Sequence, residues 1–101
     1  MEKRKPHYPL AAIKATFSDP DQLNRTFTAK RDAVDLGMDD DAVVDLIQAL
    51  TFSDFDKSMT SFVDHRIWQD VYRPSVDDKT IYLKFTLDAQ QAFLLISFKE
   101  A

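Results

Sequence analysis

The spacing of apolar residues in this chain changes once, near residue 54, from the period of a helix to that of a strand. Before the change, Leu10, Ile13 and Phe17 recur at helical spacing until Ser18-Asp19-Pro20-Asp21 interrupts them. Val43, Val44, Ile47 and Leu50 form a second stripe of the same kind. After it, Ile81, Leu83, Phe85 and Leu87 alternate with Tyr82, Lys84 and Thr86, the pattern of a strand with one apolar and one polar face. A helical stripe and an alternating strand each bury one side only. Helices first and strands second therefore predict an α+β fold, with the N-terminal helices packed on one face of an antiparallel β-sheet and the other face partly open.

Local signals place three helices within residues 10–50. The first follows an extended leader marked by Pro6, Pro9 and the basic Lys3-Arg4-Lys5. Thr28 is the expected N-cap of a second helix, Ala29 to Leu36, ended by Gly37, the only glycine in the chain, at a C′ position that needs φ > 0. Asp39 is the expected N-cap of a third, running to about Leu50, with the Asp39 to Asp41 carboxylates at its positive end. The sheet is expected over residues 54–99, with turns at Ser75 to Lys79 and Asp88 to Gln91. Ala92 to Phe98 is apolar on both faces, which predicts a central strand with Leu94, Ile96 and Phe98 in the core.

The 101 residues make one domain, 1–101, with 45% hydrophobic and 30% charged residues, enough for one core and too apolar for a disordered chain. The longest apolar run, Ala92 to Ile96, is far short of the roughly 18 residues of a membrane span. No apolar segment follows the charged start as in a secretory signal, and there is no cysteine, so a cytoplasmic protein is expected. Two histidines, His7 and His65, without cysteine provide no ligand spacing for zinc. The net charge of −4 opposes nucleic-acid binding in general, but the acids concentrate in the helical region and at Asp77-Asp78, leaving room for a local basic cleft.

The densest chemistry lies in residues 53–74, which hold Lys57, His65, Gln69, Tyr72 and Arg73. By strand parity, Lys57, Met59 and Ser61 share one face, Gln69, Val71 and Arg73 another, and Tyr82, Lys84 and Thr86 a third. Coincidence of the three on the open side of the sheet makes a polar cleft; otherwise each is an ordinary solvated side chain. Asp70 breaks the pattern, since parity sends it to the helix side with Trp68 and Tyr72, where it must cap or pair something unless a bulge shifts the register. Trp68 in an alternating strand reads as core, and His65 beside Asp64 as structural.

Such side chains suit phosphodiester cleavage without a metal, which needs a base for the ribose 2′-OH, cationic donors for the charge growing on phosphorus and an acid for the 5′-oxygen. Arginine suits bidentate phosphate contact, while a lysine serves either as electrostatic stabiliser or, with a depressed pKa, as base. Both roles are open for Lys57 and Lys99.

The segment Lys57-Ser-Met-Thr60, the run Asp64-His-Arg-Ile-Trp-Gln-Asp-Val-Tyr-Arg-Pro74, the start Met1-Glu-Lys-Arg-Lys-Pro-His7 and the end segments Ile81-Tyr-Leu-Lys-Phe-Thr86 and Leu95-Ile-Ser-Phe-Lys-Glu100 resemble the motility quorum-sensing regulator (MqsR) toxins. The resemblance implies a fold similar to the RelE and YoeB ribonucleases. It also implies metal-independent endoribonuclease (mRNA interferase) activity, needing no cofactor, on mRNA at GC-containing sites such as GCU, and a cognate MqsA-type antitoxin that is a zinc-containing DNA-binding protein. Carried over by position, it makes Lys57, Gln69, Arg73, Tyr82 and Lys99 the catalytic candidates and Met59, with Lys84 of the same polar face, the RNA-binding ones. Asp56 stands where the family carries tyrosine, which removes a stacking or hydroxyl contact and adds negative charge beside Lys57. The competing reading is a catalytically weak homologue that binds the antitoxin as a regulatory protein.

Overall fold

The computed structural model describes residues 1–101. Three helices, α1 (Leu10–Thr16), α2 (Phe27–Asp35) and α3 (Asp40–Gln48), precede five of the six strands: β2 (Phe55–Thr60), β3 (Trp68–Tyr72), β4 (Ser75–Val76), β5 (Lys79–Leu87) and β6 (Phe93–Glu100). The other strand, β1 (Glu2–Lys3), is formed by the leader. Every strand pairing is antiparallel. The sheet runs β1-β2-β3-β5, with β4 paired to β5 through a tight hairpin and β6 along the other side of β5. No helix is long and apolar enough to cross a membrane.

The helices cover one face. Leu10, Ile13 and Phe17, then Ala29 and Ala33, then Val43, Leu46, Ile47 and Leu50 meet Tyr72, Ile81, Leu83, Phe85, Leu95 and Phe98 of the sheet in one buried cluster. The third helix begins as its sequence dictates: the Asp39 side chain accepts from the backbone N–H of Ala42, while Asp40 and Asp41 occupy the first turn. It stops at Gln48, whose side-chain amide turns back to donate to the Lys14 and Phe17 carbonyls, two oxygens freed at the end of α1. Gly37 takes φ +76° just past the second helix, as the C′ position requires.

The second helix starts earlier than the sequence suggests. Its N-cap is Thr26, not Thr28, because Thr26 is extended and its N–H is committed to the Leu95 carbonyl of β6, leaving its hydroxyl oxygen to accept from Ala29 N–H. That cap is fixed by a partner some 70 residues away, which no local pattern contains.

The last strand also differs from expectation. β6 pairs only with β5 and closes one side of the sheet, so it is not central. Its outer side is covered by the segment before α2, where Arg25 bridges to Leu95 and Asn24 donates to the Phe93 carbonyl and the Asp88 carboxylate. A register shift skips Ile96: Lys84 faces Ser97 while Phe85 faces Leu95. The extra residue exchanges faces, so the core takes Leu95 and Phe98, while Leu94 and Ile96 stay half-buried. The turns fall where glycine-free sequence must still turn, with positive φ at Asp77, Asp78 and Gln91.

Asp70 points into the helix side, as parity requires, because the register shift of the β2–β3 ladder falls on β2, between Phe55 and Lys57, and leaves the alternation of β3 intact. Its carboxylate, fully buried, accepts from the backbone N–H groups of His7 (3.0 Å) and Tyr8 (2.9 Å) and from the Ser58 hydroxyl (2.5 Å). The leader is thereby fastened to the middle of the sheet. Trp68 lies at the border of this face rather than in the core: the His7 ring stacks on it at 5.0 Å and the Lys3 ammonium lies 4.2 Å from its ring centre.

Candidate active site

On the face away from the helices, cross-strand register rather than sequence proximity brings the polar side chains together. Lys57 of β2 lies opposite Val71 of β3, which lies opposite Lys84 of β5, which lies opposite Ser97 of β6. Directly paired residues project to the same side, so these four form one row across the sheet. Met59 and Gln69 pair in the row on one side, and Tyr82 and Lys99 in the row on the other. Arg73 follows β3 directly, with its backbone N–H held by the Asp54 carbonyl at 2.7 Å. The structure thus gathers Lys57, Met59, Gln69, Tyr82, Lys84 and Lys99, with Arg73 at the end of the same strand face.

Two residues grouped with them by parity do not join. Ser61 falls beyond β2 in the loop of residues 61–67, and Thr86 is buried with its hydroxyl donating to the Trp68 carbonyl. His65 lies exposed in that same loop, and Tyr72 is wholly buried on the helix side, out of reach of any ligand on the open face.

Val71 lies at the centre of this polar face. It has no exposed surface, yet it stands outside the core cluster on the other side of the sheet. Lysines flank it on both sides, and their aliphatic stems are the material that can cover it while the ammonium groups reach up. Above it the charges are dense. The Lys84 and Lys99 ammonium nitrogens lie 5.7 and 5.5 Å from the Tyr82 ring centre. Partial burial lowers the Lys84 pKa, and the cations Lys99 and Lys57 lower it further. The Tyr82 phenol is raised above its ordinary value, first by burial and then by the Asp56 carboxylate, against the opposing pull of Lys57 and Arg73. These mutual effects place Asp56, Lys57, Arg73, Tyr82, Lys84 and Lys99 within one electrostatic field.

Asp56 reaches this position because the β2–β3 register skips between Phe55 and Lys57, so Phe55 packs on Tyr72 at the core while Lys57 still faces outward. The acid that pairs with Lys57, however, is not Asp56. It is Glu2, whose Oε1 lies 3.3 Å from the lysine Nζ. Glu2 sits on β1 opposite Met59 and therefore shares the open face. Sequence reasoning missed it, since a two-residue strand has no periodicity to detect. The available hint was only that the leader is part of the family resemblance.

A row of cations around Val71, flanked by an amide and a phenol, can grip a phosphodiester and meet charge growing on its oxygens. A family model described as "Motility quorum-sensing regulator, toxin of MqsA" matches residues 5–100. The chain is also 44% identical over 100 residues to the mRNA interferase toxin MqsR of Escherichia coli (strain K12), covering 99% of each protein. A family match spanning nearly the whole sequence and a relative 44% identical over almost the full length give one assignment: the chain belongs to the MqsR toxin family.

Proposed function

We propose that this protein is an mRNA interferase toxin, an endoribonuclease acting as one domain in the cytoplasm and neutralised by an MqsA-type antitoxin. Any zinc in such a complex resides in the antitoxin. The supporting observation is the convergence of Lys57, Arg73, Lys84 and Lys99 around Tyr82 and Val71, a local cationic surface in a chain of net charge −4. RNA is cleaved at GC-containing sites such as GCU when the 2′-oxygen attacks the adjacent phosphorus, leaving a 2′,3′-cyclic phosphate and a 5′-hydroxyl. Lys57, Arg73 and Lys99 hold the phosphate oxygens and stabilise the charge that builds there. Gln69 and Met59 contact the nucleotide next to it, Lys84 contacts the RNA, and Tyr82 donates a hydrogen bond from a phenol that stays protonated at neutral pH.

Lys57→Ala and Arg73→Ala are each expected to lose about 100-fold or more of the cleavage rate, the usual consequence of removing one charge-stabilising donor. Wild-type cleavage of free RNA is expected to persist in excess EDTA, with mapped ends carrying cyclic or 3′-phosphate. Full activity in both variants, or loss in EDTA restored by magnesium, contradicts this reading. Wild-type protein that binds the antitoxin tightly yet leaves RNA intact identifies the binding module instead; Asp56, a negative charge beside Lys57, is the feature that favours that outcome.

A further inference from the structure

Attack by a ribose hydroxyl needs a group that accepts its proton, and the cleft is rich in groups that cannot. Arginine carries its proton at neutral pH and so does lysine unless its pKa is strongly depressed, while glutamine and methionine have no basic atom. The Tyr82 phenol holds its proton more tightly than a free tyrosine, because it is partly buried. Two carboxylates remain on this face, Glu2 and Asp56.

We propose that Glu2 is the general base of the cleavage reaction, held in place by Lys57. This rests on the ribonuclease reading above. Of the four cations named there, Lys57 is the one that bears an ion pair, and its partner is the Glu2 carboxylate at 3.3 Å. Glu2 remains about half exposed, so an incoming ribose can reach it. β1 lies at one border of the sheet and β6 at the other, with Lys57 and Lys84 between them. In-line displacement requires the attacking and departing oxygens on opposite sides of phosphorus. A phosphate seated above Val71, between Lys57 and Lys84, has Glu2 on the β1 side and Tyr82, Lys84 and Lys99 on the β5–β6 side. Asp56 lies beside Lys57 on β2 but forms no ion pair with it, so Glu2 is the carboxylate that Lys57 fixes in place for the first proton.

The step balances within the side chains present. The 2′-OH proton passes to a Glu2 carboxylate oxygen as the 2′-oxygen bonds to phosphorus. The bond from phosphorus to the 5′-oxygen breaks, and that oxygen takes a proton from the Lys84 ammonium, the group that burial and its cationic neighbours make readiest to release one. Exchange with water then returns a proton to the Lys84 amine and removes one from Glu2.

The test uses purified wild type, Glu2→Gln and Glu2→Asp with a single-stranded RNA oligonucleotide carrying one GCU. Single-turnover cleavage is measured against pH, and binding is measured with the same oligonucleotide made 2′-deoxy at the attacking ribose. The charged partner of Glu2 is Lys57 on β2, and the other titratable groups named for this face are Asp56 on β2, Arg73 after β3, Tyr82 and Lys84 on β5 and Lys99 on β6. Glu2→Gln is expected to lose about 100-fold or more of the rate. It should bind the deoxy analogue at least as tightly as wild type and lose the acidic limb of the pH profile, while Glu2→Asp restores part of the rate and keeps the limb. Undiminished or faster cleavage by Glu2→Gln overturns the assignment, showing Glu2 to be only a counter-charge that phosphate displaces; so does an acidic limb that vanishes in Asp56→Asn instead. Wild type that leaves the RNA intact refutes the ribonuclease reading itself, whereas wild-type cleavage matched by Glu2→Gln refutes the Glu2 assignment alone.

Discussion

Replacing Asp70 by alanine removes the one side chain that joins the leader, β2 and β3, and the cost follows from its partners. The buried carboxylate accepts from His7 N–H, Tyr8 N–H and the Ser58 hydroxyl. Hydrogen bonds to a charged group contribute roughly 1.5 to 3 kcal/mol each, and a buried donor left without a partner costs about 1 to 3 kcal/mol. The Ser58 hydroxyl has no exposure and loses its acceptor outright, while the two backbone donors are part-buried and water replaces some of what they lose. Taking the full contribution for Ser58 and about half for each amide gives a destabilisation of about 3 to 6 kcal/mol. In a domain near 100 residues, where each kcal/mol moves the midpoint by roughly 4 to 8 °C, Tm should fall by at least about 12 °C. Urea denaturation followed by far-UV circular dichroism measures the free energy, and amide hydrogen exchange at His7 and Tyr8 reports whether the leader is released. Since Glu2 reaches Lys57 from this same leader, cleavage should fall as well at temperatures where the fold persists. A loss below about 1 kcal/mol with unchanged protection at Tyr8 would refute the account of Asp70 as the fastening point.

Three further expectations concern separate parts of the molecule. Leu95→Ala should destabilise by about 2 to 5 kcal/mol, and Ile96→Ala by less than about 1.5 kcal/mol, because the skipped register buries the first and half exposes the second; chemical denaturation giving equal losses would contradict that register. The Tyr72 hydroxyl is buried without a hydrogen-bond partner and its pKa is pushed up to about 12 by burial and then by the Asp70 charge, so Tyr72→Phe should leave stability unchanged or raise it by about 1 kcal/mol, and a loss above about 1 kcal/mol would reveal a partner for that oxygen. Lys99→Gln removes a cation that disfavours the charged form of Lys84, so the Lys84 pKa must rise; titration of its ε-carbon by NMR checks this, and an unchanged or lower midpoint removes Lys99 from the cleft's electrostatics.

Much of the fold was legible because hydrophobic period is a local property. The change near residue 54, the Asp39 cap, Gly37 past the second helix and the alternation from Ile81 to Phe85 each reside in a few consecutive residues, and each appears in the structure as the sequence indicates, whereas Thr86 is buried and Leu87 only partly so. Parity even sent Asp70 to the correct side, and residues that the resemblance named on four different strands share one face of the sheet. What the sequence could not contain is pairing between distant segments. The Thr26 cap depends on Leu95, two of the donors to Asp70 are backbone amides more than 60 residues away, and the central place passes from β6 to β5 because the segment before α2 covers the outer side of β6. The two skipped registers, at Asp56 and Ile96, decide which face a side chain occupies, and an apolar run reads the same whether or not a residue is skipped. Glu2 is the sharpest case: its two-residue strand has no pattern of its own, and only the pairing with β2 sets its carboxylate against Lys57.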